Sequence, residues 1–173
     1  DSGGPDAFGY TWIDSSEPGG PTFDSNAQTV SSTIGLCGDE WYTVNLGFDF
    51  LFYGQTYNRV AMSGNGALYL TNGTLNAGNG GDANNACPGT AGNNPRIAAL
   101  WDDWYANDDY FFCSGSAFSI TPVVGWSTQG SNPNRVFVFS WVNNPSVGCS
   151  GQVTHTVKLW EADGSIEFHY QDT

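Results

Sequence analysis

One stretch, Leu46 to Leu70, constrains the fold more than any other part of the chain. It reads LGFDFLFYGQTYNRVAMSGNGALYL, with three apolar runs separated by two turn signals. Apolar residues occupy every second position from Leu46 to Phe52, which is the spacing of a strand with one buried face. Gly54-Gln55 interrupts the first run. Asn65-Gly66 ends the second and favours a tight hairpin, because both residues tolerate positive φ. The stretch therefore predicts three strands of an all-β domain.

Further short strands follow in the second half of the chain. The run Arg135 to Val142 (RVFVFSWV) is apolar on both faces, which predicts a central strand that is covered on both sides. The runs Val153 to Trp160 and Ser165 to Tyr170 form a predicted hairpin, in which we expect His155 to face inward and His169 outward. No segment shows a helical period. About nine or ten strands are expected, which predicts an antiparallel β-sandwich.

The length of the chain fits one domain. At 173 residues we expect a single module over 1-173, large enough to bury a core. Residues 71-95 are rich in Gly and Asn and predict a long surface loop, within which Asn72-Gly73-Thr74 matches a glycosylation sequon. The only methionine is Met62, so we expect that a leader was removed or that the domain was cut from a longer chain.

The charge balance is strongly acidic and limits the possible partners. Four Lys and Arg face 17 Asp and Glu, for a net charge of −13. Nucleic-acid phosphates and anionic membranes would be repelled, and no run is long enough to insert into a membrane. Surplus carboxylates suit bound cations, calcium above all, although solubility alone also explains them.

The four cysteines indicate an oxidising compartment. Their number is even, they are widely spaced and none forms a C-x-x-C pair, so two disulfides are expected rather than a zinc site. Three connectivities are possible. We favour Cys113 with Cys149 and Cys37 with Cys87.

The segment WDDWYANDDYFF concentrates carboxylate and aromatic side chains more than any other part of the chain. We take its carboxylates as candidate calcium ligands, since hard cations prefer oxygen. Trp104 and Tyr105 are candidate rings for stacking on a sugar. The alternative is a solvated strand-end loop whose rings belong to the core. The candidate metal ligands are Asp102, Asp103, Asp108 and Asp109.

No pattern in the sequence identifies an enzyme. The H-E-x-x-H, G-x-S-x-G and P-loop motifs are absent. Asp102 and Asp103 are adjacent, so on a strand their side chains would point to opposite faces and would not flank one glycosidic bond. His155 lies between inward valines, where a hydrogen-bonded core residue is expected rather than a base. We therefore predict a non-catalytic protein.

Four motifs in one order resemble a recurring extracellular β-domain. They are the F-x-F-x-F-Y-G strand, the S-x-N-G turn, the I-A-x-x-W-D-D segment and the terminal G-x-I-x-F-x-Y hairpin. Together they resemble nidogen-type (NIDO) domains and related modules of large secreted bacterial surface proteins. The Gly- and Asn-rich loop departs from that pattern.

The resemblance implies a secreted or cell-surface module that lacks its own catalytic machinery. It implies adhesion or matrix assembly through other protein domains or copies of itself, and it names no ligand. A shared fold does not by itself establish a shared function. We keep two alternatives, a calcium-dependent carbohydrate-binding module that recognises glycans and an accessory domain of a secreted hydrolase.

Overall fold

A computed structural model describes residues 1–24, 30–34, 36, 40–75, 95–102, 104, 122–145 and 152–171. These residues contain eleven strands and no helix, so the all-β prediction is confirmed. The strands are β1 (Ser2–Gly3), β2 (Trp12–Ile13), β3 (Ser32–Ile34), β4 (Trp41–Phe52), β5 (Gln55–Ser63), β6 (Ala67–Thr71), β7 (Arg96–Ala98), β8 (Val123–Gln129), β9 (Val136–Pro145), β10 (Gln152–Trp160) and β11 (Ile166–Gln171).

The strands form three antiparallel sheets. One has five strands in the order β11-β10-β9-β8-β3, one has four in the order β4-β5-β6-β7, and β1 and β2 form a short separate pair. The stretch from Leu46 to Leu70 supplies much of β4, β5 and β6, as its pattern predicts. Strand β9 lies in the middle of the five-stranded sheet, which confirms its predicted central position.

The two larger sheets share one hydrophobic core. The four-stranded sheet contributes the alternating apolar residues of β4, among which Leu46 and Phe50 are 0% exposed. The five-stranded sheet contributes Phe137, Phe139 and Trp141 from β9, which lie opposite inward residues of β10. Trp141 also donates its indole N–H to the carbonyl of Ser63, at 3.0 Å, across the sandwich. Period-two patterning thus places both buried faces against each other.

The second face of β9 is buried as well. Val138 is 1% exposed and Ser140 0%. The segment before β3 covers part of this face. There Asp24 forms an ion pair with Lys158 of β10, with 2.6 Å between Oδ2 and Nζ. Residues 25–29 of that segment lie outside the described residues. Burial on both faces agrees with the prediction made for this strand.

A bulge in β4 is tied to the other sheet. Its pairing with β5 shifts register between Asn45 and Phe50, and Gly47 has a φ of 89°. Arg135 donates to the carbonyl of Gly47 and forms a two-pronged ion pair with Glu161, with Nε to Oε2 at 2.7 Å. Hydrogen bonds from the guanidinium hold the pKa of Glu161 at about 2. One arginine therefore joins the start of β9 and the end of β10 to the bulge in the middle of β4.

One predicted strand was wrong, whereas the hairpin predicted at Asn65-Gly66 forms between β5 and β6 with a different turn geometry. The alternation of Phe8, Tyr10 and Trp12 predicts a strand over Phe8 to Asp14. Only Trp12–Ile13 is a strand, because the side chain of Asp6 draws residues 6–10 into a turn. In the Asn65-Gly66 turn only Gly66 has positive φ, at 82°. The turn with two positive φ angles is Tyr53-Gly54, at 46° and 76°.

The orientation expected for His169 was also wrong. His169 is 8% exposed, whereas Phe168 and Tyr170 are 45% and 49% exposed. Phe168 shares the core-side face with its partner Val157, but β11 is the edge strand, where the opposite sheet gives little cover. His169 lies on the other face, where Phe23 packs at 6.2 Å between ring centroids.

Candidate functional site

The turn between β5 and β6 is buried and organises the acidic aromatic segment. Ser63 and Asn65 are both 0% exposed. The carbonyl of Asn65 accepts the N–H of Asp102 at 3.2 Å, and its side-chain oxygen accepts the N–H of Trp104 at 3.1 Å. A buried amide rarely persists unless it is hydrogen-bonded. The sequence pattern predicts a hairpin at this turn but not its hydrogen bonds to residues 102 and 104.

The structure describes two of the six residues predicted to bind metal or sugar. Asp102 is exposed at the surface. Trp104 is 6% exposed and donates its indole N–H to the carbonyl of Leu100 at 2.9 Å, so its ring packs in the interior. Asp103, Tyr105, Asp108 and Asp109 lie outside the described residues, and the calcium and sugar assignments stay predictions.

The predicted disulfides cannot be located either, because all four cysteines lie outside the described residues. Most of the predicted 71-95 loop, residues 76–94, also lies there. Within the part of the chain that is described, no three His, Cys, Asp or Glu side chains are grouped to hold a metal ion. The cysteines concerned are Cys37, Cys87, Cys113 and Cys149.

His155 lies beside Trp104 of the acidic aromatic segment, between two tryptophan rings. It is 1% exposed, its ring stacks on Trp141 at 4.4 Å, and Trp104 lies 6.5 Å away between ring centroids. Burial lowers the pKa of His155 to about 3. Its inward position was predicted, but neither ring nitrogen has a hydrogen-bond partner in the described structure. A neutral, enclosed imidazole of this kind fits packing rather than proton transfer.

An aromatic patch lies where the first residues of the chain meet the tip of the β4–β5 hairpin. We define it as Phe8, Tyr10 and Tyr53. Tyr10 stacks on Tyr53 at 4.7 Å, and Phe8 meets the same ring edge-on at 5.0 Å. Phe8 is 65% exposed and Tyr53 42%. The patch therefore presents large aromatic rings to solvent.

Asp6 holds the aromatic patch together. One of its carboxylate oxygens accepts the N–H groups of Phe8 and Tyr10, at 2.8 and 2.9 Å, and the other accepts the Tyr53 hydroxyl at 2.9 Å. These hydrogen bonds, the one from Tyr10 most of all, lower the pKa of Asp6. They also oppose the cost of positive φ at Tyr53, a conformation that residues with a Cβ rarely adopt. Sequence reasoning missed this patch, since a Tyr-Gly pair is not an expected positive-φ turn.

The surface over β4 and β5 also carries a shallow polar depression. It is lined by amide, carboxylate and guanidinium side chains. Asn72, the predicted glycosylation residue, lies at its rim, where its amide accepts the N–H of Asn58 and donates to the carbonyl of Thr56. The lining residues are Asn45, Gly47, Phe48, Asp49, Asn58, Arg59 and Asn72.

These features define an all-β sandwich module with a packed, aromatic interior. The family model described as NIDO related matches residues 11–173. The chain belongs to that family, which confirms the resemblance to nidogen-type modules. No curated protein and no solved structure matches the chain. The described residues include no helix able to cross a membrane. Family membership points to an extracellular β-module.

Proposed function

We propose that this chain is a secreted, non-catalytic module that serves a structural or adhesive role at a cell surface or in an extracellular assembly. The observation that carries the proposal is the exposure of large aromatic side chains on a rigid sandwich. Phe8 is 65% exposed, and Tyr53 and Tyr170 exceed 40%. Aromatic side chains are enriched at protein interfaces and lose little conformational entropy on binding.

Several polar side chains of the described residues stabilise the scaffold itself, which supports the same proposal. Asp6 organises a turn, Glu161 binds Arg135, and Asn65 anchors a neighbouring segment. His155 is enclosed and its pKa is about 3, far below the range useful to a general base at neutral pH. Membership of the NIDO-related family, which groups structural modules, agrees with this.

A binding assay with matched variants tests the proposal. The purified module is titrated onto cells and extracellular-matrix preparations, alongside Phe8→Ser and the control Leu51→Ser. Leu51 is 57% exposed but is not part of the aromatic patch. We expect the wild type and the control to bind alike, and Phe8→Ser to bind roughly tenfold more weakly. Absence of binding to every surface, or turnover in peptide and glycoside panels, would contradict the proposal.

A calcium-dependent carbohydrate-binding role is the second candidate. The observation that favours it is the placement of exposed Asp102 at the surface by the buried Asn65 turn, at the start of the acidic run. Glycan titration with calcium and with chelator separates the two candidates. Binding that chelator abolishes, and that Asp102→Asn weakens, would support this role. Binding in neither condition removes it.

A further inference from the structure

The edge of the five-stranded sheet is formed by β11, a strand with exposed aromatic side chains. Within the described structure β11 pairs only with β10, and its outer edge has no strand beside it. Phe168 and Tyr170 are 45% and 49% exposed on this strand. Natural sheets usually protect an edge with charges, bulges or proline, because an open edge invites another strand to pair. The described β11 has no proline and pairs with β10 without a bulge. Its one acidic residue, Glu167, lies 3.0 Å from the ring of His169 on the same strand.

The register fixes which backbone groups of β11 point outward. The N–H of Trp160 donates to the carbonyl of Ser165 at 3.0 Å, so this pair is hydrogen-bonded. In an antiparallel ladder, hydrogen-bonded and non-hydrogen-bonded pairs alternate. Glu167 and His169 therefore direct their backbone groups toward β10. The N–H and C=O groups of the residues between them point away from the sheet, and these residues are Ile166, Phe168 and Tyr170.

The same residues form a strand that is complementary to itself. If a second β11 lies antiparallel with a two-fold axis at Phe168, each Phe168 meets the other Phe168. Ile166 then meets Tyr170 of the second copy, and the backbone groups of both point away from β10, so each pair exchanges two hydrogen bonds. Glu167 meets His169, so no two carboxylates face each other directly. Aromatic pairs and aromatic–β-branched pairs stabilise antiparallel sheets.

We propose that the module self-associates by antiparallel pairing of β11 with β11 of a second copy, about a two-fold axis at Phe168. Each five-stranded sheet then continues into the other, and the contact is isologous, as in most homodimers. The proposal deepens the structural role argued above by naming a second copy as a partner. It can fail separately, since a strictly monomeric module could still bind cells or matrix.

A charge-swap experiment tests the pairing and its axis. Light scattering after size exclusion measures the mass of the wild type, Phe168→Lys, Phe168→Glu and an equimolar mixture of the two variants. Because the axis passes through Phe168, each variant alone places like charges opposite each other, whereas the mixture places opposite charges there. We expect the wild type and the mixture to dimerise, and each variant alone to be at least tenfold weaker. Tyr42, 45% exposed on β4, supplies the matched controls Tyr42→Lys and Tyr42→Glu.

Cross-linking gives an independent result. Cα atoms of a hydrogen-bonded antiparallel pair lie about 5.5 Å apart, within the range of a disulfide. Phe168→Cys should therefore form a reducible dimer under oxidation more readily than Tyr42→Cys or the wild type. A wild type that stays monomeric up to about 1 mM overturns the proposal. So does dimerisation that persists undiminished in Phe168→Lys. Correct folding of each variant is checked by its thermal melt.

Discussion

Gly66 is the residue whose substitution we expect to be most damaging to the buried turn. Its φ is 82°, and a Cβ added there would lie 2.1 Å from the carbonyl oxygen of Leu100. Both the left-handed backbone and the backbone clash oppose a side chain. Gly66→Ala should therefore lower the free energy of unfolding by about 3 kcal/mol or more.

Gly54 provides the matched control for Gly66. Its φ is 76°, but a Cβ added there would meet nothing within 4 Å. Gly54→Ala should cost about 1 kcal/mol, from the backbone alone. Urea unfolding of both variants measures the difference. Equal losses would show that the close approach of Gly66 to Leu100 is not a real constraint.

His155 should make the fold sensitive to mild acid. Its pKa is about 3 when folded, below its value of about 6.5 in an unfolded chain. The unfolded state therefore takes up the proton first, and the stability is complete above pH 6.5 and falls as the pH drops toward 3. Between pH 7 and pH 5 the loss should be about 2 kcal/mol.

Urea unfolding across that pH range, with two variants, isolates the effect. His155→Phe keeps a ring against Trp141 and should flatten the pH dependence. His169→Gln, at the other histidine, should retain most of the slope. The window above pH 5 avoids the carboxylates of Asp14 and Glu161, whose pKa values are about 2. A slope that survives in His155→Phe would contradict the assignment.

At the scale of elements, the Tyr53 hydroxyl is the link we expect to hold the first residues of the chain on the sandwich. It donates to Asp6 at 2.9 Å, and this hydrogen bond raises the pKa of Tyr53. Tyr53→Phe keeps the ring stack but removes the hydrogen bond, so hydrogen exchange in residues 6–10 should become faster while the sheets stay protected. Tyr42→Phe is the control. Unchanged exchange in residues 6–10 would mean that ring stacking alone suffices.

Much of the element pattern follows from the sequence. The alternation that predicts a strand through Phe52 is confirmed by β4, which spans Trp41–Phe52, and period-two burial extends through its Phe ladder. The exposure of the two faces of β11 was predicted wrongly, since alternation separates two faces but does not reveal which one the rest of the fold covers. The Phe8 to Asp14 strand failed because hydrogen bonds from one aspartate outweighed weak alternation.

The sites were harder to predict than the strands. The acidic aromatic segment could be recognised from composition, but the burial of Trp104 depends on Asn65, 39 positions away. The aromatic patch depends on Asp6 and Tyr53, which are equally remote in sequence. Contacts of that range leave no periodic signal, so single-sequence patterns do not contain them.

For the whole molecule, repulsion among its negative charges should lower the stability of the fold and weaken self-association. The net charge is −13, and each copy carries it into any dimer. Raising sodium chloride from about 0.05 to 0.5 M shortens the Debye length to a few ångströms and screens that repulsion. We expect a higher melting temperature and tighter self-association in high salt. A lower melting temperature there would show that attractive ion pairs dominate instead.

One series of thermal melts tests both the predicted calcium binding and the predicted disulfides. If the acidic segment binds calcium in the folded state, millimolar calcium should raise the melting temperature and chelator should reverse the rise. If the cysteines form disulfides, reductant should lower it, since each bridge is worth roughly 2–4 kcal/mol. No change with calcium, or none with reductant, would contradict the corresponding prediction.

The contacts of the four cationic side chains should affect how readily proteases cleave the folded module. Arg59 binds Thr74, Arg96 lies over Trp101, Arg135 binds Glu161 and Lys158 binds Asp24. All four are at least partly buried, and they are the only residues after which a trypsin-like enzyme cuts. The folded module therefore offers such enzymes no freely accessible cleavage point, whereas exposed acidic residues such as Asp49 remain accessible to proteases that cut at acidic residues.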